Sequence, residues 1–380
     1  MPFPPWNDSH AQLRKTVRDF CETELAPHAL EWDKAGGFPR EVFKKMANLG
    51  LLGIRFPEEH GGLGLDWWYS LAYMEELVHA RSGGVMMSLL VDSDMCSPVI
   101  AEVGNEEQKR EFLAPLIAGD KIGALGVTEP GAGSDVASIR TTARKDGGDY
   151  VINGAKTYIT NGSFADFITL VVRTGGEGFG GISIVLLPTD TKGFSVGRKL
   201  DKLGTRAVDS CEIAFEDCRI PQRYLLGEED MGFYYLMNNF QGERVAAAVM
   251  AYAGSRKQVD DAVAYGRERS AFGRPIIKYQ WWRHKFAEHM ASIEAGRALT
   301  YGAVQKMVDG ENPTREVSMA KLFCGELAQK VAYDCLQFHG GYGYVEEYDI
   351  CRAFRDTRLI TIGGGTSEVM REIIAKMEDL

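Results

Sequence analysis

The sequence predicts an α+β fold in which an all-α block, a β block and a second all-α block follow one another. Three observations carry this. Apolar residues recur every three or four positions from about Ser9 to Leu116, short β-rich runs fill about Ile122 to Leu226, and the helical period returns from about Asp230 to Leu380. Strands and helices do not alternate as a doubly wound nucleotide-binding sheet requires. The predicted domains are 1–121, 122–226 and 227–380.

In the first block, Phe20, Leu25 and Trp32 lie near one apolar stripe and Leu71, Met74 and Leu77 on another, with Pro39, Pro57 and Gly61–Gly64 as punctuation. In the second, Asp146-Gly-Gly and the Asn153-Gly154 pair within Asp149–Ile159 predict hairpins. Phe167–Val172 and Ile182–Leu187 read as buried strands, and Cys211–Phe215 alternates weakly. In the third, no proline falls between Pro221 and Pro275, leaving room for one helix from about Met231 to Arg267. Further helices are predicted at about Trp281–Asp309 and Pro313–His339, and a last one running to Met377.

Among 380 residues, 43 glycines make about 11%, against a usual share of roughly 7%. The surplus has no period and points to specific loops. Forty-three Lys and Arg against 53 Asp and Glu leave a net charge of −10, the wrong sign for neutralising nucleic-acid phosphates. Seven cysteines, odd in number and without a Cys-x-x-Cys pair, fit a reducing cytoplasm and argue against a disulfide framework or zinc ribbon. No metal-ligand set is predicted. The acidic N-terminus is unlike a targeting peptide, and the longest apolar run, Gly83–Val91, stops at Asp92, so no membrane span is predicted. The chain reads as soluble, cytoplasmic and complete as it stands.

The glycines cluster where bare backbone has a chemical use. Leu125-Gly-Val-Thr-Glu-Pro-Gly-Ala-Gly-Ser-Asp135 lies where the first block meets the second. Gly131 and Gly133 let N–H groups approach an anion or ring edge, and Thr128 and Ser134 add hydroxyls; the plainer alternative is a Gly-Pro-rich connection. Tyr158-Ile-Thr-Asn-Gly162 carries Thr160 into a turn. Gly363-Gly-Gly-Thr-Ser-Glu368 places Thr366 or Ser367 as the N-cap of the last helix, which suits a phosphate or, equally, a flexible break. Neither a Gly-x-Gly-x-x-Gly with a ribose carboxylate nor a P-loop occurs, so NAD and P-loop chemistry fit poorly.

These loops belong to a longer ordered series. It runs from Gly104-Asn-Glu-Glu-Gln-Lys109 with Leu113 and Pro115, through Val127–Asp135, Ile152-Asn-Gly, Lys156-Thr-Tyr-Ile-Thr-Asn-Gly162 and Phe215-Glu-Asp. It continues through Arg267-Glu-Arg-Ser-Ala-Phe-Gly-Arg-Pro275, Gly340-Gly-Tyr-Gly343, Arg355-Asp356 and Gly365-Thr-Ser-Glu368. Together these residues resemble the acyl-CoA dehydrogenase family of flavoenzymes over nearly the whole chain. The resemblance implies an N-terminal α-helical domain, a central β-barrel-like domain and a C-terminal four-helix bundle domain. It also implies bound FAD and a homotetramer built as a dimer of dimers.

By the same resemblance, Val127, Thr128, Gly133, Ser134, Tyr158 and Thr160 hold the flavin ring and pyrophosphate, with Thr160 near N5. Thr366 and Glu368 hold the adenosine diphosphate portion. Arg269, Phe272, Gln280, Gln337 and Gly341 match positions that reach a neighbouring subunit's FAD. Ser134, Gln241, Arg244 and Gly365 match positions that face the acyl-CoA thioester.

The base is where the chain departs from the commonest pattern. Many members carry a glutamate immediately before the Gly-Thr of the last series; here that residue is Gly364. Glu243, in Gln241-Gly-Glu-Arg-Val-Ala-Ala-Ala, stands on a predicted helix face with Leu236, Phe240, Ala247, Met250 and Gly254. No Lys or Arg lies three or four residues away. Apolar surroundings raise a carboxylate's pKa and make it a stronger base near neutral pH. A lone Glu on such a stripe is more commonly paired with a distant Arg, but long-chain and isovaleryl-type members place their base on this helix. Glu243 is therefore the expected base, and the Gly364 N–H, with a ribityl hydroxyl of FAD, the expected partner of the thioester carbonyl.

The implied reaction is FAD-dependent α,β-dehydrogenation of a long- or branched-chain acyl-CoA to the trans-2-enoyl-CoA, as in fatty-acid β-oxidation. Glu243 takes the α-proton, flavin N5 takes the β-hydride, and electrons pass to an electron-transfer flavoprotein. The acyl pocket is expected between Met74–Met95 and the stretch near Glu243. Alternatives are an acyl carrier protein thioester as substrate, oxygen-dependent chemistry without α-proton abstraction, or a non-catalytic acyl-CoA-binding protein.

Overall fold

Short polar side chains start the N-terminal helices. In the computed structural model, which describes residues 3–380, the Asn7, Asp66 and Ser82 side chains accept backbone N–H groups at the heads of Asp8–Phe20, Trp67–Leu77 and Gly83–Leu90. Helical backbone then continues to Val103. The run Gly83–Val103 is long and apolar enough to cross a membrane by length and composition, yet 83% of its apolar window is buried within the fold. Asp92 interrupts the run in sequence but is itself fully buried. One of its oxygens accepts the Gly123 N–H at 2.7 Å, and burial pushes its pKa well above the usual carboxylate range.

The central block is one sheet of eight strands: β1 (Gly123–Gly126), β2 (Thr142–Asp146), β3 (Asp149–Thr160), β4 (Phe167–Arg173), β5 (Ile182–Pro188), β6 (Phe194–Lys199), β7 (Ser210–Pro221) and β8 (Leu225–Leu226). Its order is β6-β7-β3-β2-β4-β5-β8, with β1 on β4; the path is open at β6 and β8. Pairing is antiparallel except where β4 meets β1 and β2.

Two sequence expectations change here. Gly147-Gly148 does turn β2 into β3, with Asp146 opposite Asp149. The Asn153-Gly154 pair does not turn: β3 runs through it, and the register against β7 shifts between Ile152 and Gly154. Gly154 has φ +147° and a Cβ there would lie 2.5 Å from Thr141 Oγ1, so the pair marks a bulge that only glycine fits. Asn153 instead exchanges hydrogen bonds with Asp217, its Nδ2 donating to Oδ1 and its Oδ1 accepting the Asp217 N–H. Cys211–Phe215 lies in the first half of the twelve-residue β7, where Cys211, Ile213 and Phe215 are buried and Glu212 is exposed, so the alternation is plainer in the fold than in the sequence.

The C-terminal block is built on Gly232–Glu268, Gln280–Val308 and Thr314–His339, which pack pairwise, with Ser367–Met377 against the third. The long helices fall within one or two residues of their predicted bounds because no proline or capping signal interrupts them. The core has two parts. One joins both helical blocks, bringing Leu71, Met74 and Leu77 together with Val245, Val249 and Tyr252. The other joins the sheet to Cys96–Ile117 and reaches Leu236 of the long helix.

Candidate active site

A cavity of about 1250 Å³ opens where the two cores meet. On the sheet side it is lined by Val127, Thr128, Gly133, Ser134, Tyr158 and Thr160. The 127–135 loop turns on Glu129 and Ala132, whose backbones exchange N–H···O bonds of 2.9 and 3.1 Å. No atom lies within 4 Å of where a Cβ would stand on Gly131 or Gly133, so ligand atoms can approach their backbone.

The sheet holds this loop from below. Thr157 N–H donates to Thr128 O at 2.9 Å, and the fully buried Lys156 donates to Val127 O at 2.9 Å and Glu129 Oε1 at 2.8 Å. The Arg140 and Thr141 N–H groups donate to the same carboxylate. Burial alone would raise the Glu129 pKa; the Lys156 charge and these hydrogen bonds outweigh it and hold the carboxylate below its ordinary range.

Thr160 and Tyr158 reach the cavity because β3 breaks step with β7 between Lys156 and Ile159. Tyr158 and Asn161 take left-handed backbone, φ +60° and +65°, a cost that tertiary contacts must sustain. Asn161 supplies them: fully buried, it donates from Nδ2 to Ser88 O and Gly123 O and accepts from Ser88 Oγ.

The opposite wall carries Glu243, Arg244, Gly364, Gly365 and Thr366. Glu243 is half-buried and lines the cavity, and burial raises its pKa above the ordinary 4.5 despite the nearby charges of Arg244 and Lys321. Arg244 is 6% exposed, its Nε has no hydrogen-bond partner among the described residues, and burial lowers its pKa. Gly364 (φ +62°) and Gly365 (φ +92°) turn the chain, and Thr366 caps the last helix, its Oγ1 accepting the Val369 N–H at 3.3 Å. A Cβ on Gly364 would lie 3.2 Å from Glu243 Oε1. The position without a side chain and the carboxylate from the long helix therefore converge on one space.

Other sequence expectations lie elsewhere. Gln241 is buried but does not line the cavity; its amide donates to Met237 O, because two residues along a helix turn it about 200° from Glu243. Glu368 stands exposed on the first turn of the last helix, outside the cavity lining. Arg269, Phe272, Gln280, Gln337 and Gly341 are all exposed and outside it too, Phe272 at 98%. Met86, Met87, Val91 and Met95 line the cavity from the predicted stretch, whereas Met74 is wholly in the core. Where no metal ligands were expected, Glu59, His60 and Glu106 bring ligand atoms within 4.8 Å of one another; none of the three lines the cavity.

Several contributors carry no sequence signal of their own. Lys156, Glu129 and Asn161 position the sheet wall from behind. Asp356 joins three segments: its Oδ1 accepts the Thr205 N–H and its Oδ2 the Gly83 N–H, and burial lifts its pKa to about 6. Pairing a buried polar residue with distant backbone leaves no periodic trace, so only their membership of the Val127–Asp135, Lys156–Gly162 and Arg355-Asp356 series hinted at them.

The acyl-CoA dehydrogenase N-terminal domain matches residues 7–120, the middle domain 124–218 and the C-terminal domain 230–378. The long-chain specific mitochondrial acyl-CoA dehydrogenase of Sus scrofa is 42% identical over 98% of this chain and 86% of its own length. The short-chain specific mitochondrial enzyme of Rattus norvegicus is 40% identical over 97% and 89%. The crystal structure of an acyl-CoA dehydrogenase from Geobacillus kaustophilus superposes with a TM-score of 0.96 at 40% identity, covering 99% of this chain and 100% of that one. A glutaryl-CoA dehydrogenase from Mycobacterium smegmatis in complex with FADH2 gives 0.92 at 31% identity, covering 98% and 95%.

Proposed function

The chain belongs to the acyl-CoA dehydrogenase family of FAD-dependent oxidoreductases, and from that premise we propose that it dehydrogenates a long- or branched-chain acyl-CoA with Glu243 as the base. FAD, when bound, supplies the acceptor for the β-hydride. Thr128, Ser134, Tyr158 and Thr160 on the sheet side and Thr366 at the helix start are the residues that would hold it. Open space over Gly131 and Gly133, the aromatic Tyr158 and a capped helix N-terminus fit a flavin dinucleotide.

Glu243 takes the α-proton, and its raised pKa makes it a stronger base than a solvated carboxylate. The Gly364 N–H donates to the thioester carbonyl and stabilises the charge that develops there. Arg244, buried without a partner for its Nε, adds a positive charge beside the base. The convergence of Glu243 Oε1 and the Gly364 Cβ position at 3.2 Å is the observation that carries this assignment.

The substrate reading is supported by size and lining. About 1250 Å³ exceeds the roughly 300–1,000 Å³ of single-ligand pockets, and Met86, Met87, Met95 and Met250 offer an adaptable apolar wall. The relatives include both long-chain and short-chain enzymes, so titration with a panel of acyl-CoAs decides chain length. We include in the reading an electron-transfer flavoprotein as acceptor and a tetramer in which the exposed Arg269, Phe272, Gln280, Gln337 and Gly341 meet a neighbouring subunit's cofactor. The seven free cysteines support a reducing, cytoplasmic setting.

The test is Glu243→Gln. The purified variant should stay yellow and bind acyl-CoA, while anaerobic bleaching of its flavin slows by about 10²–10⁴-fold. Bleaching at the wild-type rate would remove Glu243 as the base.

A further inference from the structure

A buried lysine usually sits against a carboxylate. Lys321, on the Thr314–His339 helix and 1% exposed, instead donates its ammonium proton to the Gly365 carbonyl. That carbonyl belongs to a turn with no side chains of its own. Backbone bonds anchor its ends: Gly363 N–H donates to Leu359 O at 2.9 Å, and Met370 N–H to Thr366 O at 2.9 Å. Between them Gly364 and Gly365 hold positive φ, conformations that glycine enters and leaves cheaply. The charged groups facing Lys321 are Glu243 and Arg244 from the long helix and Glu368 from the last one.

We propose that Lys321 is a positioning residue: by holding the Gly365 carbonyl it fixes the turn so that the Gly364 N–H meets the thioester carbonyl while Glu243 keeps its access to the α-carbon. This rests on the roles given above to Glu243 and Gly364. The cation also favours the ionised form of Glu243, lowering a pKa that burial raises. Burial draws Lys321 itself down to about 8, Glu243 acting in the opposite sense, so the side chain is charged at neutral pH.

The experiment uses FAD-loaded Lys321→Met and Lys321→Arg. Two readouts are followed beside flavin bleaching. One is the pH at which bleaching fails on the acid side. The other is the absorbance band given by an acyl-CoA with sulfur in place of the β-carbon, which can lose its α-proton but has no β-hydride to give. Lys321→Met should keep its FAD and bind the probe within about threefold of wild type. Its bleaching should slow about 10²-fold, as when an oxyanion donor is misplaced. Its band should weaken and its acid limit move to higher pH. Lys321→Arg, which keeps charge and donors, should remain within about tenfold with an unshifted limit.

Wild-type rates and an unshifted limit in the Met variant overturn the proposal, as does an equal loss in both variants accompanied by loss of FAD. If the Met variant does not fold, Lys321→Gln takes its place with the same expectations. Glu243→Gln run alongside separates the two readings. Normal bleaching there removes the base itself; a Glu243→Gln that fails to bleach beside a wild-type-like Lys321→Met removes only the role of Lys321.

Discussion

On the sheet side of the cavity, the 127–135 loop and the Tyr158–Asn161 turn are tied from behind by Lys156, Glu129 and Asn161, all of them buried and hydrogen-bonded. On the helical side, the 363–365 turn is bare backbone held by one lysine, facing a carboxylate from another helix. The sheet wall spends buried polar groups on a fixed shape, which suits a cofactor that stays. The helical wall leaves room, and that room is filled by Glu243. A turn without side chains lets a carboxylate arrive from a neighbouring element without any change of fold.

The comparison breaks most readily on the sheet side. Lys156→Met leaves Glu129 buried without its cation and should cost about 3–5 kcal/mol of stability, seen as a lower denaturant midpoint and loss of bound flavin. If that variant unfolds with wild-type stability and keeps its colour, the sheet wall is not held as described. Gly364→Ala should act in the opposite manner. A left-handed φ costs a non-glycine residue about 1–2 kcal/mol, and the added methyl presses on Glu243 Oε1. Flavin should be retained while bleaching by substrate falls by about ten- to hundredfold; a change in stability alone would sink the convergence of the two positions.

The smallest effect is in pH. With Glu243 as the proposed base, only its ionised form accepts the α-proton, so bleaching should be present above its raised pKa and lost as pH falls through it. The acid limit should therefore lie above the ordinary glutamate value of 4.5. A limit at or below that value would place Glu243 in contact with water. A charge-neutral change on the sheet wall, Asn161→Ala, should leave the limit where it is.

Much of the architecture is readable in the sequence. The change of period near Ile122 and again near Asp230 marks the helical and β blocks, and the proline-free stretch before Pro275 marks the long helix. The glycine clusters mark two of the cavity's edges, and the missing side chain at Gly364 directs attention to Glu243. Asn153-Gly154 misleads because the same dipeptide serves a turn or a bulge, and the choice belongs to the neighbouring strand β7. Gln241 misleads because sharing a series with Glu243 is not sharing a helix face.

The sequence by itself determined the order of helical and β blocks, the long helices, the family and the residue types available for the chemistry, since periodicity, turn residues and local series act over a few positions. Only the tertiary structure decided that the two helical blocks share one core, that Lys156 and Asn161 brace the sheet wall, and that Lys321 grips Gly365. It also decided that residues 243 and 364, 121 positions apart, compete for one space. These are contacts between groups distant in sequence, and packing, not pattern, brings such groups together.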